Sequence, residues 1–336
     1  MRPLAVKVRY METEYFINPN LSAIKDRFDD ALEELVLHKL SGDEAPAMSL
    51  ARDILLSGGK RFRPVLALLA HEAAGGNDDS MIMDLALASE IIHTATLIHD
   101  DIYDQSKTRR GMPTLHTSHD LSHAIIAGDY LFVIGFSLGG RYDNVIVEKI
   151  GKSAANLASG ELLQFEHIGN FSTTPEDYYA IVDGKTAGPF ASACACAGII
   201  AGAHQEIIDS LENFGIEIGR AFQLVDDLLD LTGEPSMGKP RGTDVYDGKM
   251  TLPLIHALTL LYGPERDQLE DILNNFSDDR WQELTVLLDK SSSLTYVKQL
   301  IKNHINRALD SLNKLPDSNA KSMLIEIALE SQNRKL

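Results

Sequence analysis

Two copies of one acidic pattern could carry chemistry. Asp100, Asp101 and Asp104 sit in TATLIHDDIYD; Asp226, Asp227 and Asp230 sit in FQLVDDLLD. On a helix, residues four apart share a face, so each copy stacks two like charges one turn apart, at a cost of roughly a few tenths of a kcal/mol. Carboxylates inside otherwise apolar helices need a partner. Mg²⁺ suits them: it takes oxygen ligands, keeps several waters and bridges one or two carboxylates to substrate phosphates. Zinc does not fit, because the clusters offer little nitrogen or sulfur. One such motif can be a solvated helix face. Two with the same spacing, on helices facing each other, point to two or three Mg²⁺ ions with a diphosphate completing their coordination.

Basic residues flank these acids. Lys60, Arg61 and Arg63 crowd a Gly-rich loop, Arg109 and Arg110 follow the first motif, and Lys185, Lys239, Arg241 and Lys249 lie near loops further on. Arg matches phosphate with a planar fork of donors, Lys with a point charge. Each alone reads as a solvated side chain; together they imply a substrate with two anionic groups. No Ser-His-Asp or Cys-His set of comparable quality is present. His93, His99 and His116 lie near the first motif and suit local hydrogen bonding as well as chemistry. The residues alone describe a Mg²⁺-dependent enzyme acting on diphosphates, with the metal polarising the leaving group.

The elements that must position these groups read as helices. Apolar residues at 21, 24, 28, 32, 35 and 36 keep the helical interval, and further helices are expected over 49–56, 64–74, 81–103 (with Ser80 as N-cap), 118–139, 143–167, 176–182, 187–203 and 204–231. Pro64 and Pro175 suit first turns. The Gly- and Pro-rich stretch 233–248 predicts a loop, and helices should start near 251, 263, 278, 292 and 318. No alternating strand pattern of any length occurs. The class is all-α: an irregular segment over 1–19, then a single domain over 20–336.

At 336 residues, 44% of them hydrophobic, the chain can bury a large core. Its net charge of −18 argues against nucleic acid or an anionic membrane surface as partner. The two cysteines, Cys194 and Cys196, read as small core residues rather than a metal or redox pair. The lack of a disulfide framework and of a secretory signal points to a reducing, cytoplasmic setting. The run 187–203 is dominated by small residues, which suits a closely packed helix or subunit interface better than a transmembrane segment.

Taken together, Gly59-Lys60-Arg61-Phe62-Arg63-Pro64, His93, Asp100-Asp101-Ile102-Tyr103-Asp104, Arg109-Arg110-Gly111, Lys185-Thr186, Phe222-Gln223, Asp226-Asp227-Leu228-Leu229-Asp230 and Gly248-Lys249 resemble the trans-polyprenyl diphosphate synthases, the head-to-tail prenyltransferases. The likeness covers roughly residues 55–255. It implies the isoprenoid-synthase helical bundle, with a central cavity between two Asp-rich helices, and a homodimer. It implies condensation of isopentenyl diphosphate with an allylic diphosphate (geranyl, farnesyl or geranylgeranyl). Asp100, Asp104 and Asp226 would be the Mg²⁺ ligands, supported by Asp101, Asp227 and Asp230. Lys60, Arg63, His93 and Arg110 would hold isopentenyl diphosphate. Arg109 and Lys185 would hold the allylic diphosphate, with Lys239 and Lys249 assisting. Thr186 and Gln223 would turn oxygens toward the developing cation.

In that family, short-chain members often carry a bulky aromatic four or five residues before the first motif. Here those positions are Thr96 and Ala95. One helix turn rises about 5.4 Å, close to one isoprene unit, so small residues there predict a product longer than ~C20. Phe132 or Phe136 on the next long helix could stop the chain earlier, giving a short-chain synthase. A terpene cyclase, a metal phosphohydrolase using His99-Asp100 and a non-catalytic subunit of a heteromeric synthase fit less well. None of them explains two intact acidic motifs beside this set of basic residues.

Overall fold

The computed structural model describes residues 18–77, 79–232 and 241–332, almost all of them helical. The chain divides into two compact units: Met1–Leu68 with Asp78–Tyr142, and Leu69–Asn77 with Asp143–Leu336.

The first unit opens with Pro19–Leu40, whose buried Leu21, Phe28, Leu32 and Val36 keep the helical interval. Asn18 caps it by accepting a hydrogen bond from Asn20 N, and Pro19 occupies the first turn. Residues 18 and 19 therefore belong to this helix rather than to an irregular leader; the rest of that expected segment lies outside the described residues. Ala45–Leu56 follows. The principal packing is Asp79–Tyr103 against Leu121–Gly139. Ala88, Ile91, Ala95 and Ile98 are enclosed on one helix, and Ala124, Ala127, Leu131 and Ile134 on the other. The helix expected over 118–139 is interrupted, because Asp120 accepts a hydrogen bond from His123 N and starts a new helix there. One departure from the all-helical expectation is a two-residue ladder, Thr108–Arg109 against Met112–Pro113.

The second unit contains Asn144–Glu166, Pro175–Val182, Gly188–Ile200 and the long Gln205–Thr232. Thr174 and Asp177 form a reciprocal capping box at Pro175. Asp183–Ala187 is a π-helical turn continuous with the helices on either side. Gly188–Ile200 is a closely packed core helix. It packs on Gln205–Thr232, and burial pushes the Cys194 and Cys196 thiols up to about 12 and about 11. The C-terminal helices Leu252–Leu260, Pro264–Asn274, Trp281–Lys290, Ser293–Ser311 and Asn319–Gln332 begin close to the expected positions. The expected loop 233–248 contains a short helix, Thr243–Tyr246. Ser80–Tyr103 and Leu121–Gly139 are long and apolar enough to cross a membrane by length and composition alone, although 61% of the first one's apolar window is buried in the protein.

Candidate active site

In the first unit the acids stand at the C-terminal end of Asp79–Tyr103. Asp100 is half-buried, Asp104 is exposed and Asp101 is buried. Asp101 accepts hydrogen bonds from Arg109 Nε at 2.8 and 2.9 Å, and Arg109 Nη2 lies 2.8 Å from Asp101 Oδ1. Burial raises the Asp101 carboxyl, and Arg109 opposes that shift. Arg109 thus ties the short hairpin to the acidic helix. At the hairpin tip, Arg110 (φ 51°) and Gly111 (φ 76°) both have positive φ, as a primed two-residue turn requires. A β-hairpin holding the basic pair was not legible from periodicity; the Arg-Gly dipeptide was its one local signal.

Arg110 donates to Ser57 Oγ at 3.1 Å and to the Gly58 carbonyl. It therefore lies against the Gly-rich loop that presents half-buried Lys60, with half-buried Arg63 in the first turn of the helix Phe62–Ala73 that follows. The third basic residue there, Arg61, belongs to the core and not to a phosphate pocket. It is 3% exposed and donates to Glu90 at 2.6 Å, Asp29 at 2.9 Å and Leu55 O at 2.7 Å. A buried guanidinium needs such partners. His93, two turns before Asp100, is held well below the usual histidine range by burial and then by Arg63 and Arg110. His99 and His116 make local contacts, to Ile125 O at 3.4 Å and Thr114 Oγ1 at 3.2 Å. Ala95 is fully enclosed; Thr96 is 8% exposed and donates its hydroxyl to His93 O at 2.7 Å. Phe132 and Phe136 stack at 6.2 Å between ring centres, and His99 tilts on Phe132 at 5.8 Å.

In the second unit a cavity of roughly 130 Å³ is lined by Lys185, Thr186, Gln223, Asp227, Asp244 and Lys249, among others. One hydrogen-bonded chain crosses its wall. Thr186 Oγ1 donates to Gln223 Oε1 at 2.9 Å, and Gln223 Nε2 donates to Asp227 Oδ1 at 2.9 Å. Tyr178 OH donates to Asp227 Oδ2 at 2.6 Å. With its proton directed to Gln223, the Thr186 oxygen keeps its lone pairs for another group. Asp227 has neutral donors only, so burial first, and the Asp244 charge second, push its carboxyl up to about 8. Asp226 is exposed. Asp230 is pushed up to about 7 by the same two causes, and its carboxylate accepts from Thr243 N at 3.0 Å and Asp244 N at 3.2 Å. Lys185 pairs with Glu161 Oε2 at 2.6 Å and donates to Gln164 Oε1 at 2.9 Å. Lys249 donates to Asp247 at 2.9 Å. Lys239 lies outside the described residues. Tyr178, Glu161, Gln164 and Asp244 carried no spacing signal that would have placed them here.

Among the described residues, no three His, Cys, Asp or Glu side chains converge as a ready-made metal cage. The donors fit Mg²⁺ nonetheless. They are carboxylates, and the accessible ones, Asp100, Asp104 and Asp226, match an ion that keeps its waters and takes one or two carboxylates plus phosphate.

Residues 46–287 match the family described as polyprenyl synthetase. The chain is 33% identical over 299 residues (88% of it, 92% of the relative) to the geranyl-diphosphate-specific all-trans-nonaprenyl-diphosphate synthase of Rhodobacter capsulatus. It is 34% identical over 298 residues (87% and 91%) to the octaprenyl diphosphate synthase of Escherichia coli. The crystal structure of a decaprenyl diphosphate synthase from Rhodobacter capsulatus superposes with a TM-score of 0.87 at 33% identity, covering 94% of this chain and 98% of that one. The fold is the all-α fold of these enzymes, and the chain belongs to the polyprenyl synthetase family.

Proposed function

We propose that this chain condenses isopentenyl diphosphate with an allylic diphosphate to give a trans-polyprenyl diphosphate longer than geranylgeranyl diphosphate. One observation carries the reading most strongly: Lys185, Lys249, Thr186, Gln223 and Asp227 line a single cavity. Two cations there suit a diphosphate, and the Thr186 lone pairs suit a carbocation. Asp100, Asp104 and Asp226 would hold Mg²⁺, and Asp101, Asp227 and Asp230 would fix their helices through Arg109, Tyr178 and the 243–244 backbone. When bound, Mg²⁺ offsets the charge of the departing diphosphate.

The remaining chemistry falls to the protein's own groups. Lys185 and Arg109 orient the allylic diphosphate, with Lys249 and Lys239 assisting. The allylic C–O bond breaks and its electron pair leaves with the diphosphate. The Thr186 and Gln223 dipoles stabilise the allylic cation, being fixed in advance by their mutual hydrogen bond. Lys60, Arg63, His93 and Arg110 place isopentenyl diphosphate so that its double bond attacks. The new C–C bond leaves a tertiary cation, which loses a proton to the released diphosphate. No strong protein base is needed, and His93, held neutral, serves as a hydrogen-bonding group rather than a cation.

The product length rests on small Ala95 and Thr96 and on relatives named for octaprenyl to decaprenyl products. We further propose one catalytic domain through 20–336, a cytoplasmic location supported by two inert buried thiols, and no bilayer span. We propose a homodimer, supported by exposed Ile125, Ile126, Val133 and Phe136 on one helix. The test is to supply purified protein, Mg²⁺ and isopentenyl diphosphate with farnesyl diphosphate and to weigh the products by mass spectrometry. Products extending beyond geranylgeranyl diphosphate are expected, and shorter ones from Ala95→Phe. A product stopping at farnesyl or geranylgeranyl diphosphate overturns the long-chain reading and identifies a short-chain synthase.

A further inference from the structure

We infer that the Asp183–Arg220 pair is a positioning device that sets Lys185 and Thr186 for the allylic diphosphate; the inference rests on the role proposed above for those two residues. Lys185 and Thr186 stand on the π-helical turn Asp183–Ala187. A π turn inserts one extra residue into a helix. It is rare and occurs as a single turn, often at functional sites. Such a turn persists only where its surroundings hold it.

Three contacts hold this one. On one side it presses against Asn144–Glu166. A Cβ on Gly184 would lie 2.7 Å from Asn156 O, and a Cβ on Gly160 would lie 3.0 Å from Lys185 N, so the two backbones meet with no side chain between them. On the other side it presses against Gln205–Thr232. A Cβ on Gly219 would lie 2.5 Å from Ala187 Cα. The third contact is charged and directional. Arg220, next to Gly219, donates from Nε to Asp183 Oδ1 at 2.7 Å and from Nη2 to Asp183 Oδ2 at 2.6 Å. A bidentate guanidinium–carboxylate pair fixes angle as well as distance. Asp183 is the first residue of the turn, two before Lys185 and three before Thr186. Arg220 is three residues before Gln223, which accepts the Thr186 hydroxyl. The clamp and the cavity contact thus join the same two elements less than one helical turn apart.

Arg220 is itself braced. Its Nη1 donates to Glu217 at 3.2 Å. Glu217 also accepts from Arg307 Nε at 2.7 Å and lies 2.7 Å from His304 Nδ1. His304 Nε2 lies 3.0 Å from Tyr179 OH. The neighbouring Tyr178 donates to Asp227. Asp183, Arg220, Glu217, Arg307, His304 and Tyr179 line none of the cavity wall, so they act through Lys185 and Thr186 and not on substrate.

The experiment compares Arg220→Met, Arg220→Lys, Asp183→Asn and Lys185→Ala in the full-length protein. Each is assayed with farnesyl diphosphate varied at saturating isopentenyl diphosphate, then the reverse, alongside a thermal melt. Misplacing a reacting group by about 1 Å costs up to about a hundredfold in rate. Arg220→Met should therefore lower kcat/KM for farnesyl diphosphate at least about tenfold. Its KM for isopentenyl diphosphate should stay within about twofold of wild type. Arg220→Lys should recover part of the loss, and the Arg220→Met and Asp183→Asn losses should not add in the double variant. If Arg220→Met does not fold, Asp183→Asn carries the same kinetic test. Unchanged farnesyl kinetics in Arg220→Met, with Lys185→Ala impaired, overturn the positioning role. Equal losses for both substrates, tracking a lowered melting temperature, overturn it as well and leave only a structural brace. Unimpaired farnesyl kinetics in Lys185→Ala overturn the proposed role of Lys185 and the inference with it.

Discussion

The two acidic motifs share their letters and spacing but are wired differently. In the first, the buried middle acid, Asp101, faces a cation: Arg109, carried on a hairpin, grips both of its oxygens. In the second, the buried middle acid, Asp227, faces neutral donors, Tyr178 and Gln223. The last acids differ too. Asp104 is exposed, whereas Asp230 accepts two backbone N–H groups from the segment leading to Lys249. One motif is balanced by charge and fastened to a basic hairpin. The other is balanced by hydrogen bonds and fastened to a cavity wall and a strap. A shared pattern therefore fixes where accessible carboxylates stand, while the buried member of each set reports what the helix end must hold.

The largest effect should fall on the accessible acids, where the motifs are equivalent. Asp100→Ala and Asp226→Ala should each lower kcat at least about a hundredfold, because each removes a proposed metal ligand. Loss of activity in one variant only would break the symmetry of the pair.

Middle acids should separate the motifs. Asp101→Asn leaves the partly buried Arg109 without a counter-charge and should cost about 2 kcal/mol in urea unfolding. Asp227→Asn, compared in mildly acid buffer where the wild-type carboxyl is still protonated in the folded state, keeps one acceptor for Tyr178 and should cost about 1 kcal/mol. Equal costs would mean that the ion pair and the neutral pair hold their helices alike.

A pH titration sharpens the same contrast. Asp227 is pushed from the ordinary carboxylate range up to about 8, so folding favours its protonated form. That contribution is full in acid and is lost as pH rises through about 8. In buffer containing a chelator, the melting temperature of wild type should fall relative to Asp227→Asn between about pH 5 and about pH 8. Parallel curves would contradict the assignment. A smaller effect of opposite sign belongs to His93, which burial, Arg63 and Arg110 hold below its usual range. Wild type should lose stability as pH falls through about 6.5, and His93→Gln should flatten that loss. A wild-type curve that stays level there would argue against a buried neutral His93.

Much of this was legible in the sequence because helical spacing is a direct geometric rule. It placed the acids at the ends of long helices and set most helix starts within a few residues. What escaped it was long-range pairing. Nothing local marks Arg61 as a core residue when Lys60 and Arg63 beside it are half-buried; Asp29 and Glu90, far along the chain, decide that. The π turn at Lys185 reads in the sequence as a break between two helices, with Gly184, Gly188 and Pro189, and only the glycine contacts at 160, 184 and 219 reveal why it forms. The Arg110 hairpin rests on two positive φ angles and not on strand propensity.

The central claim, condensation rather than ionisation alone, is tested most directly by following farnesyl diphosphate with purified protein and Mg²⁺, with and without isopentenyl diphosphate. The account predicts that farnesyl diphosphate persists when alone. It should be converted to longer diphosphates, one isoprene unit at a time, when both substrates are present. Rapid consumption of farnesyl diphosphate alone, to a cyclised hydrocarbon or to farnesol, would contradict it.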